Sequence, residues 1–327
     1  MILVLTTEEG DFSHVKIIDW LIHFGADYKI MSGESILKGE ADFTVIDGSI
    51  MYDGINITKE TSCVLYRRWF TQSKFNLSED KVLNSTLSNT MYFEIQEIKH
   101  FLFNNLKSAK WYPNPYSINV NKLSVLELAK NFIDVPDYIV TNCKKDLIKF
   151  YQKHNGEVVT KAIGNFSPIY SSNGFIVNPI YTKELSIDVI NKLPDKFPMS
   201  FIQKKITKIL EYRVFYLNRK IYPTAILSQE NKLTQIDSRK NDLDIESKLV
   251  PSIIDPETEY KLIQLMDTLQ LNIGSIDLLH SVDDKLYFLE VNPVGQIGGY
   301  SRRSVNDIER IIAQNLLQID NEYKRKY

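Results

Sequence analysis

The sequence predicts a mixed α/β and α+β protein laid out in three successive parts. Three observations lead to this. Up to Trp111, short apolar runs of strand length alternate with stretches of helical spacing. At Tyr112-Pro-Asn-Pro-Tyr116, two prolines in five residues interrupt the chain. From Met199 onward strand-like runs dominate, with two helical stretches flanking the last pair.

The elements follow in order. Residues 2–6 (ILVLT) read as a buried strand. Val15, Ile18, Leu21, Ile22 and Phe24 then recur at helical spacing over 13–25. Strand-like runs at 42–46 and 62–66 are separated by Asp47-Gly48 and Asp53-Gly54, turn dipeptides that predict a hairpin. A long helical pattern covers 79–106, which closes an α/β first part at 1–112. The second part, 113–198, reads as helix 121–132, strand 138–141, helix 144–154 and strand 157–162. Within it, Ser171-Ser-Asn-Gly174 separates short apolar runs and predicts a protruding hairpin over 164–181. The third part, 199–327, carries strands at 199–203, 211–217, 220–228, 273–280 and 285–291, with helices at 256–270 and 304–320.

Composition narrows the function. The 327 residues are 43% hydrophobic and 24% charged, as expected of a soluble globular protein. A net charge of −2 gives no general attraction to nucleic acid or anionic membrane. Cys63 and Cys143 form no CxxC pair, so neither a disulfide framework nor a structural zinc is expected, and a reducing cytoplasm is the natural compartment. The N-terminal apolar stretch ends at Leu5 and meets Glu8, Glu9 and Asp11, unlike a secretion signal. The basic tail Tyr323–Tyr327 reads as solvated.

The chemistry concentrates near the end of the chain, in Gly274-Ser-Ile-Asp277-Leu-Leu and Leu286-Tyr-Phe-Leu-Glu290-Val-Asn292-Pro-Val-Gly-Gln296. Residues two apart on a strand share a face, so Glu290 and Asn292 project together, and a hairpin sets Asp277 beside them. Two carboxylates and an amide, with no His or Cys nearby, make an all-oxygen site of the kind Mg²⁺ prefers. Either acid alone on a half-exposed sheet is more often just solvated. Both, however, interrupt apolar runs, where an unpaired charge is costly.

A second feature is Ile202-Gln-Lys-Lys-Ile-Thr-Lys208-Ile-Leu-Glu211-Tyr-Arg213. The backbone between two strands can bond an adenine edge. Lys208 or Glu211 can meet a ribose, and the planar fork of Arg213 suits phosphate. Taken alone, such a segment is usually a charged strand edge. Lys122 opens a helix, and Lys161 sits in the apolar strand Glu157–Ile163, where an ammonium wants an anionic partner or snorkels to water. There is no GxxxxGK[ST] loop, no GxGxxG after a strand, no GxSxG, and no ligand spacing among His14, His23, His100, His154 and His280. A nucleotide site here has to be built from lysines, a hinge and carboxylates.

Lys122, Lys161, the Gln203-to-Arg213 segment and the order Asp277, Glu290, Asn292 resemble the ATP-grasp ligases over about residues 113–300. Within that superfamily the chain is similar to the peptide maturases of graspetides, the microviridin-type ω-ester or ω-amide cross-linked peptides. Three features carry this: Tyr66-Arg-Arg68 ending a strand, the spacing Gln203…Lys208…Glu211-Tyr-Arg213, and Glu290-Val-Asn-Pro-Val-Gly-Gln296. The opening Ile2-Leu-Val-Leu…Asp19-Trp-Leu21 resembles the subgroup called grasp-with-spasm.

The resemblance implies an ATP-grasp fold with a pre-ATP-grasp α/β domain, a small central domain and a C-terminal antiparallel-sheet domain. It implies ATP and Mg²⁺ as cofactors, and a ribosomal precursor peptide, leader and core, as partner. It also implies a homodimer. Lys122 and Lys161 would contact phosphates, and the backbone at Gln203, Lys204 and Lys205 the adenine. Lys208 and Glu211 would sit at the ribose side. Arg213 and Arg239 would act catalytically on the γ-phosphate or acyl phosphate, and Asp277, Glu290 and Asn292 would hold the metal. The hairpin at 164–181 matches in position a leader-recruiting region. The chain departs from the pattern at Gln203-Lys204, where many members have Gln-Glu, and at Asp237-Ser-Arg239, where many have Asp-Trp-Arg.

The implied reaction activates an Asp or Glu side chain of the peptide as an acyl phosphate and closes a ring with Ser, Thr or Lys. Two alternatives stand beside it: an ATP-grasp ligase acting on an amino acid or a protein C-terminus, and a peptide-binding module that has lost catalysis.

Overall fold

The computed structural model describes residues 1–7, 12–70, 75–164, 169–170, 176–177, 182–227, 248–295, 297 and 307–325. In the first part the strands are β1 (Ile2–Thr6), β2 (Tyr28–Ser32), β3 (Phe43–Ile46), β4 (Ser49–Tyr52), β5 (Ile55–Asn56), β6 (Cys63–Arg67) and β7 (Lys110–Tyr112). The helices there are α1 (Val15–His23), α2 (Gly33–Leu37), α3 (Ile57–Glu60) and α4 (Lys81–Asn105).

β1 is parallel to both β2 and β6, in a sheet ordered β2-β1-β6-β7. Both faces of this sheet are covered, so its central strands are buried throughout and apolar up to their last residues, Thr6 and Arg67. The two-residue period of a strand sorts the side chains. Leu3, Leu5, Val64 and Tyr66 face a core shared with α4 residues Ile95, Leu102 and Phe103. Ile2, Val4, Cys63 and Leu65 face a second core, shared with α1 and the C-terminal helix α9 (Ile308–Lys324). Asp47-Gly48 and Asp53-Gly54 do form turns, with φ of 46° at each Asp and 77° and 78° at the glycines. They fold β3, β4 and β5 into a separate antiparallel meander rather than into the parallel sheet.

The middle of the chain holds α5 (Lys122–Ala129), β8 (Tyr138–Cys143), α6 (Lys144–Lys153), β9 (Val158–Lys161), β10 (Ile169–Tyr170), β11 (Ile176–Val177), β12 (Lys183–Glu184) and α7 (Ile187–Lys192). β10 and β11 pair antiparallel, as expected of a hairpin, while most of 164–181 lies outside the described residues. β13 (Lys196–Lys204) runs between β8 and β9, antiparallel to each, with β12 at the edge. Leu147, Phe150, Val158, Ile190 and Ile202 form the core beneath α6 and α7.

The last sheet comprises β14 (Lys208–Leu217), β15 (Lys220–Leu227), β16 (Lys248–Pro251), β17 (Ile273–Ser281) and β18 (Leu286–Asn292). It is antiparallel throughout, in the order β16-β15-β14-β17-β18. One face packs Val214, Tyr216, Ile276, Leu278, Phe288 and Val291 against α5 and α8 (Pro256–Thr268). The other face changes character along its length. At one end Phe215, Leu217 and Ile273 join the second core with the first part of the chain. At the other end the same face carries the charged residues of the site. Among the described residues, no helix is long and apolar enough to cross a membrane.

Candidate functional site

The site is a row of charges laid across three adjacent strands. Arg213 on β14 is paired in register with Asp277 on β17, which is paired with Glu290 on β18. Asn292, two residues beyond Glu290 on the same face, lies opposite Ser275. Cross-strand partners sit within side-chain reach, so the register alone assembles the row. The Arg213 Nε lies 2.7 Å from Asp277 Oδ1. The Asn292 amide donates to Glu290 Oε1 at 3.4 Å.

Two lysines from other elements complete the site. Asn121 caps α5 by accepting from the Ser124 N–H, which fixes Lys122 in the first turn beside β18. Lys122 Nζ then donates to Glu290 Oε2 at 2.7 Å. Lys161 is the last residue of β9, not a mid-strand position. Its ammonium stands 5.6 Å from the centre of the Phe201 ring, which itself stacks on Tyr138. The Lys161 charge acts on both Asp277 and Glu290.

The two acids respond oppositely to this environment. Burial pushes Asp277 up to about 7; Arg213 opposes the rise, and the negative charges of Glu290 and Glu211 add to it. Burial also favours the neutral form of Glu290. There, the charge and hydrogen bond of Lys122, with Lys161 and Asn292, outweigh burial and bring it down to about 2. Glu290 is thus held as the anion, while burial raises Asp277 in spite of its ion pair with Arg213.

The hinge segment is tighter than the sequence suggests. β13 ends at Lys204 and β14 begins at Lys208, not near Glu211, because Lys208 is buried and ion-paired with Glu211. Gln203 is 3% exposed, and its Nε2 has no hydrogen-bond partner among the described residues. The backbone N–H groups of Lys204 and Lys205 already donate to Asp137 O and Glu157 O. Their carbonyls are therefore what this stretch can offer a ligand. The Lys205 side chain pairs with Glu184 and Glu157, on the β12 side. Arg239 lies outside the described residues.

The geometry adds two residues to which the sequence assigns no role. Arg67, 2% exposed at the end of β6, donates from Nη2 to Gly295 O and to Ser13 Oγ, both at 3.1 Å. Arg68 Nη2 reaches Val294 O at 3.5 Å. The sequence marks them only through the Tyr66-Arg-Arg68 strand end that carries part of the resemblance, without a role for either arginine.

Among the described residues, no three His, Cys, Asp or Glu side chains converge as a metal cage. Two carboxylates and an amide do converge. That set fits a hard divalent ion which takes its remaining ligands from water and phosphate oxygens. The surrounding Lys122, Lys161 and Arg213 fit those phosphates.

This succession of a parallel sheet, a small mixed layer and an antiparallel sheet with a charged face is the fold of the ATP-grasp ligases. Among solved structures the chain is similar to the macrocyclase MdnC of Microcystis aeruginosa bound with precursor peptide MdnA, at TM-score 0.80 and 21% identity, over 97% of this chain and 100% of that one. It is similar to a RiPP-associated ATP-grasp ligase of Chryseobacterium gregarium in complex with ADP and a leader and core peptide, at TM-score 0.80 and 25% identity, over 96% of each chain. It is also similar to the ATP-grasp ligase PsnB complexed with minimal precursor, Mg and ADP, at TM-score 0.78 and 17% identity, over 98% and 97% of the two chains. No protein-family profile and no curated protein matches the sequence.

Proposed function

We propose that this protein is an ATP-dependent ligase that activates Asp or Glu side chains of a ribosomal precursor peptide and closes ester or amide rings on them. The observation that carries the reading is the row Arg213, Asp277, Glu290 with Lys122, set in a fold shared with ligases solved as precursor-peptide complexes.

The chemical difficulty is bringing a carboxylate up to a polyanion. In the structure, Lys122 neutralises Glu290 and Arg213 neutralises Asp277. On nucleotide binding these pairs would exchange partners. Asp277, Glu290 and Asn292 would hold Mg²⁺, which supplies charge neutralisation at the phosphates. Lys122, Lys161 and Arg213 would hold phosphate oxygens, acting through position and charge. The carbonyls near Gln203–Lys205 would face the adenine, with Lys208 and Glu211 at the ribose side. Arg239 belongs to this proposal as a second guanidinium for the acyl phosphate.

In the first step a peptide carboxylate oxygen bonds to the γ-phosphorus and the bond to the β-phosphate oxygen breaks, releasing ADP. In the second, a Ser or Thr oxygen or a Lys nitrogen bonds to the acyl carbon, loses its proton, and phosphate leaves. Exclusion of water protects the mixed anhydride between steps. The hairpin around β10 and β11 would recruit the leader, and in a division at 1–112, 113–198 and 199–327 the nucleotide would lie between the second and third parts, with Lys122 and Lys161 from one and Arg213, Asp277 and Glu290 from the other.

Hydroxylamine trapping tests this. With ATP, Mg²⁺ and an acidic precursor peptide, hydroxamate should form on Asp or Glu side chains of the peptide. Hydroxamate on a free amino acid or a protein C-terminus instead would favour the general ligase. ADP formation absent under every condition would leave a binding module.

A further inference from the structure

We propose that Arg67 is a positioning residue for the metal-side end of β18, tying the first part of the chain to the loop that follows Asn292. This rests on the ATP-dependent reading above. Arg67 belongs to β6, in the parallel sheet, whereas the loop belongs to the last sheet, more than two hundred residues away (the two bonded residues differ by 228).

The loop is closed tightly on itself. The Gly295 N–H donates to Asn292 O at 3.2 Å. A Cβ at Gly295 would lie 3.2 Å from Ser275 Oγ and 3.3 Å from both Asn292 Cβ and O. The loop therefore has little freedom of its own, and whatever holds the Gly295 carbonyl also holds Asn292. Arg67 holds that carbonyl from the first part of the chain. Arg68 approaches the preceding carbonyl, Val294 O, and the Val294 side chain packs on the first core.

The turn carrying these arginines is unusual. Arg68 and Phe70 are non-glycine residues in the left-handed region, at φ of 62° and 51°. Such conformations cost on the order of 1 kcal/mol each and persist where the surroundings demand them. The turn sets two guanidinium groups against two consecutive carbonyls, those of Gly295 and Val294. A buried Arg could serve packing alone, but packing would not require a donor on Gly295 O.

The test reads metal binding directly. Mn²⁺ affinity is measured by electron paramagnetic resonance with ADP present, on wild type, Arg67→Met, Arg67→Lys and Ser13→Ala, beside thermal melts and ADP affinity in EDTA. Arg67→Met should weaken Mn²⁺ about 10-fold or more, the scale expected for loss of an outer support of a metal site. ADP affinity without metal should stay unchanged. Arg67→Lys, too short to reach as the guanidinium does, should weaken Mn²⁺ in the same direction with wild-type melting, and Ser13→Ala should leave it unchanged. If Arg67→Met does not fold, Arg67→Lys decides. Wild-type Mn²⁺ affinity in the Arg67 variants would overturn this proposal and leave the ligase reading standing. A wild type that binds no Mn²⁺ with ADP would overturn both.

Discussion

Asp277 and Glu290 face each other across one strand pair, yet burial dominates the first and Lys122 decides the second. Under the proposed function, a divalent cation would add to the charge that Arg213 alone supplies to Asp277. Replacing either carboxylate removes that pairing and leaves Lys122 or Arg213 without its anion. Asp277→Ala and Glu290→Ala should each lower ADP formation by about 10²-fold or more, measured in a coupled assay at saturating ATP and Mg²⁺. Lys122→Met should raise the KM for ATP more than it lowers kcat. An unchanged KM would show that Lys122 only neutralises Glu290.

At the scale of elements, β9 and β13 place Lys161 against the Phe201 ring, and a cation over an aromatic face contributes about 0.5–1 kcal/mol. Phe201→Leu keeps an apolar core residue and removes the ring. The KM for ATP should rise about two- to fivefold, with the fold intact by circular dichroism. Asp277 and Glu290 are legible in the sequence because they interrupt apolar runs; the face of Glu290, however, depends on an irregularity in the β17–β18 pairing that turns both Phe288 and Val291 to the core, which strand period alone does not give. β14 begins three residues before the predicted 211, because the Lys208–Glu211 ion pair resembles solvated loop in sequence but is buried in the fold. The C-terminal helix was placed at 304–320 and lies at Ile308–Lys324. Ser304, Asn306 and Asp307 can all cap, and Asp307 is the residue that accepts from Arg310 N–H. β2, with half-buried Lys29 paired to Asp53, and three-residue β7 carry too little apolar periodicity to stand out. The Arg67–Gly295 bond was invisible because nothing in a sequence relates residues so far apart.

At the scale of the whole molecule, the first and last segments share a core. α9 packs on α1 and on the parallel sheet, through Ile308, Ile312 and Leu316. A buried polar latch reinforces it. Asp320, 1% exposed, accepts from Ser62 Oγ and from the Met1 amino group, both at 2.6 Å, and pairs with Lys324 at 2.8 Å. Burial favours its neutral form, but Lys324, the amino group and Ser62 together hold its pKa below the usual 3.8. A depressed carboxylate stabilises the fold above its unfolded pKa, and that contribution is lost as pH falls through the folded value. Asp320→Asn should cost on the order of 3 kcal/mol at pH 7 in urea unfolding. Below about pH 4 the difference from wild type should shrink as the wild-type Asp320 carboxylate takes up a proton. A constant difference from pH 7 to pH 3 would place the effect in packing, not charge.

The central claim is that the charged sheet face drives ATP-dependent ring closure on a peptide. Mass spectrometry of a candidate precursor peptide encoded beside this protein's gene, incubated with enzyme, ATP and Mg²⁺, tests it most directly, with the Asp277→Ala/Glu290→Ala variant as control. The account predicts loss of one water per ring, dependent on ATP and absent in the control. An unchanged peptide mass, with ADP still released on free amino acids or other carboxylates, would contradict it.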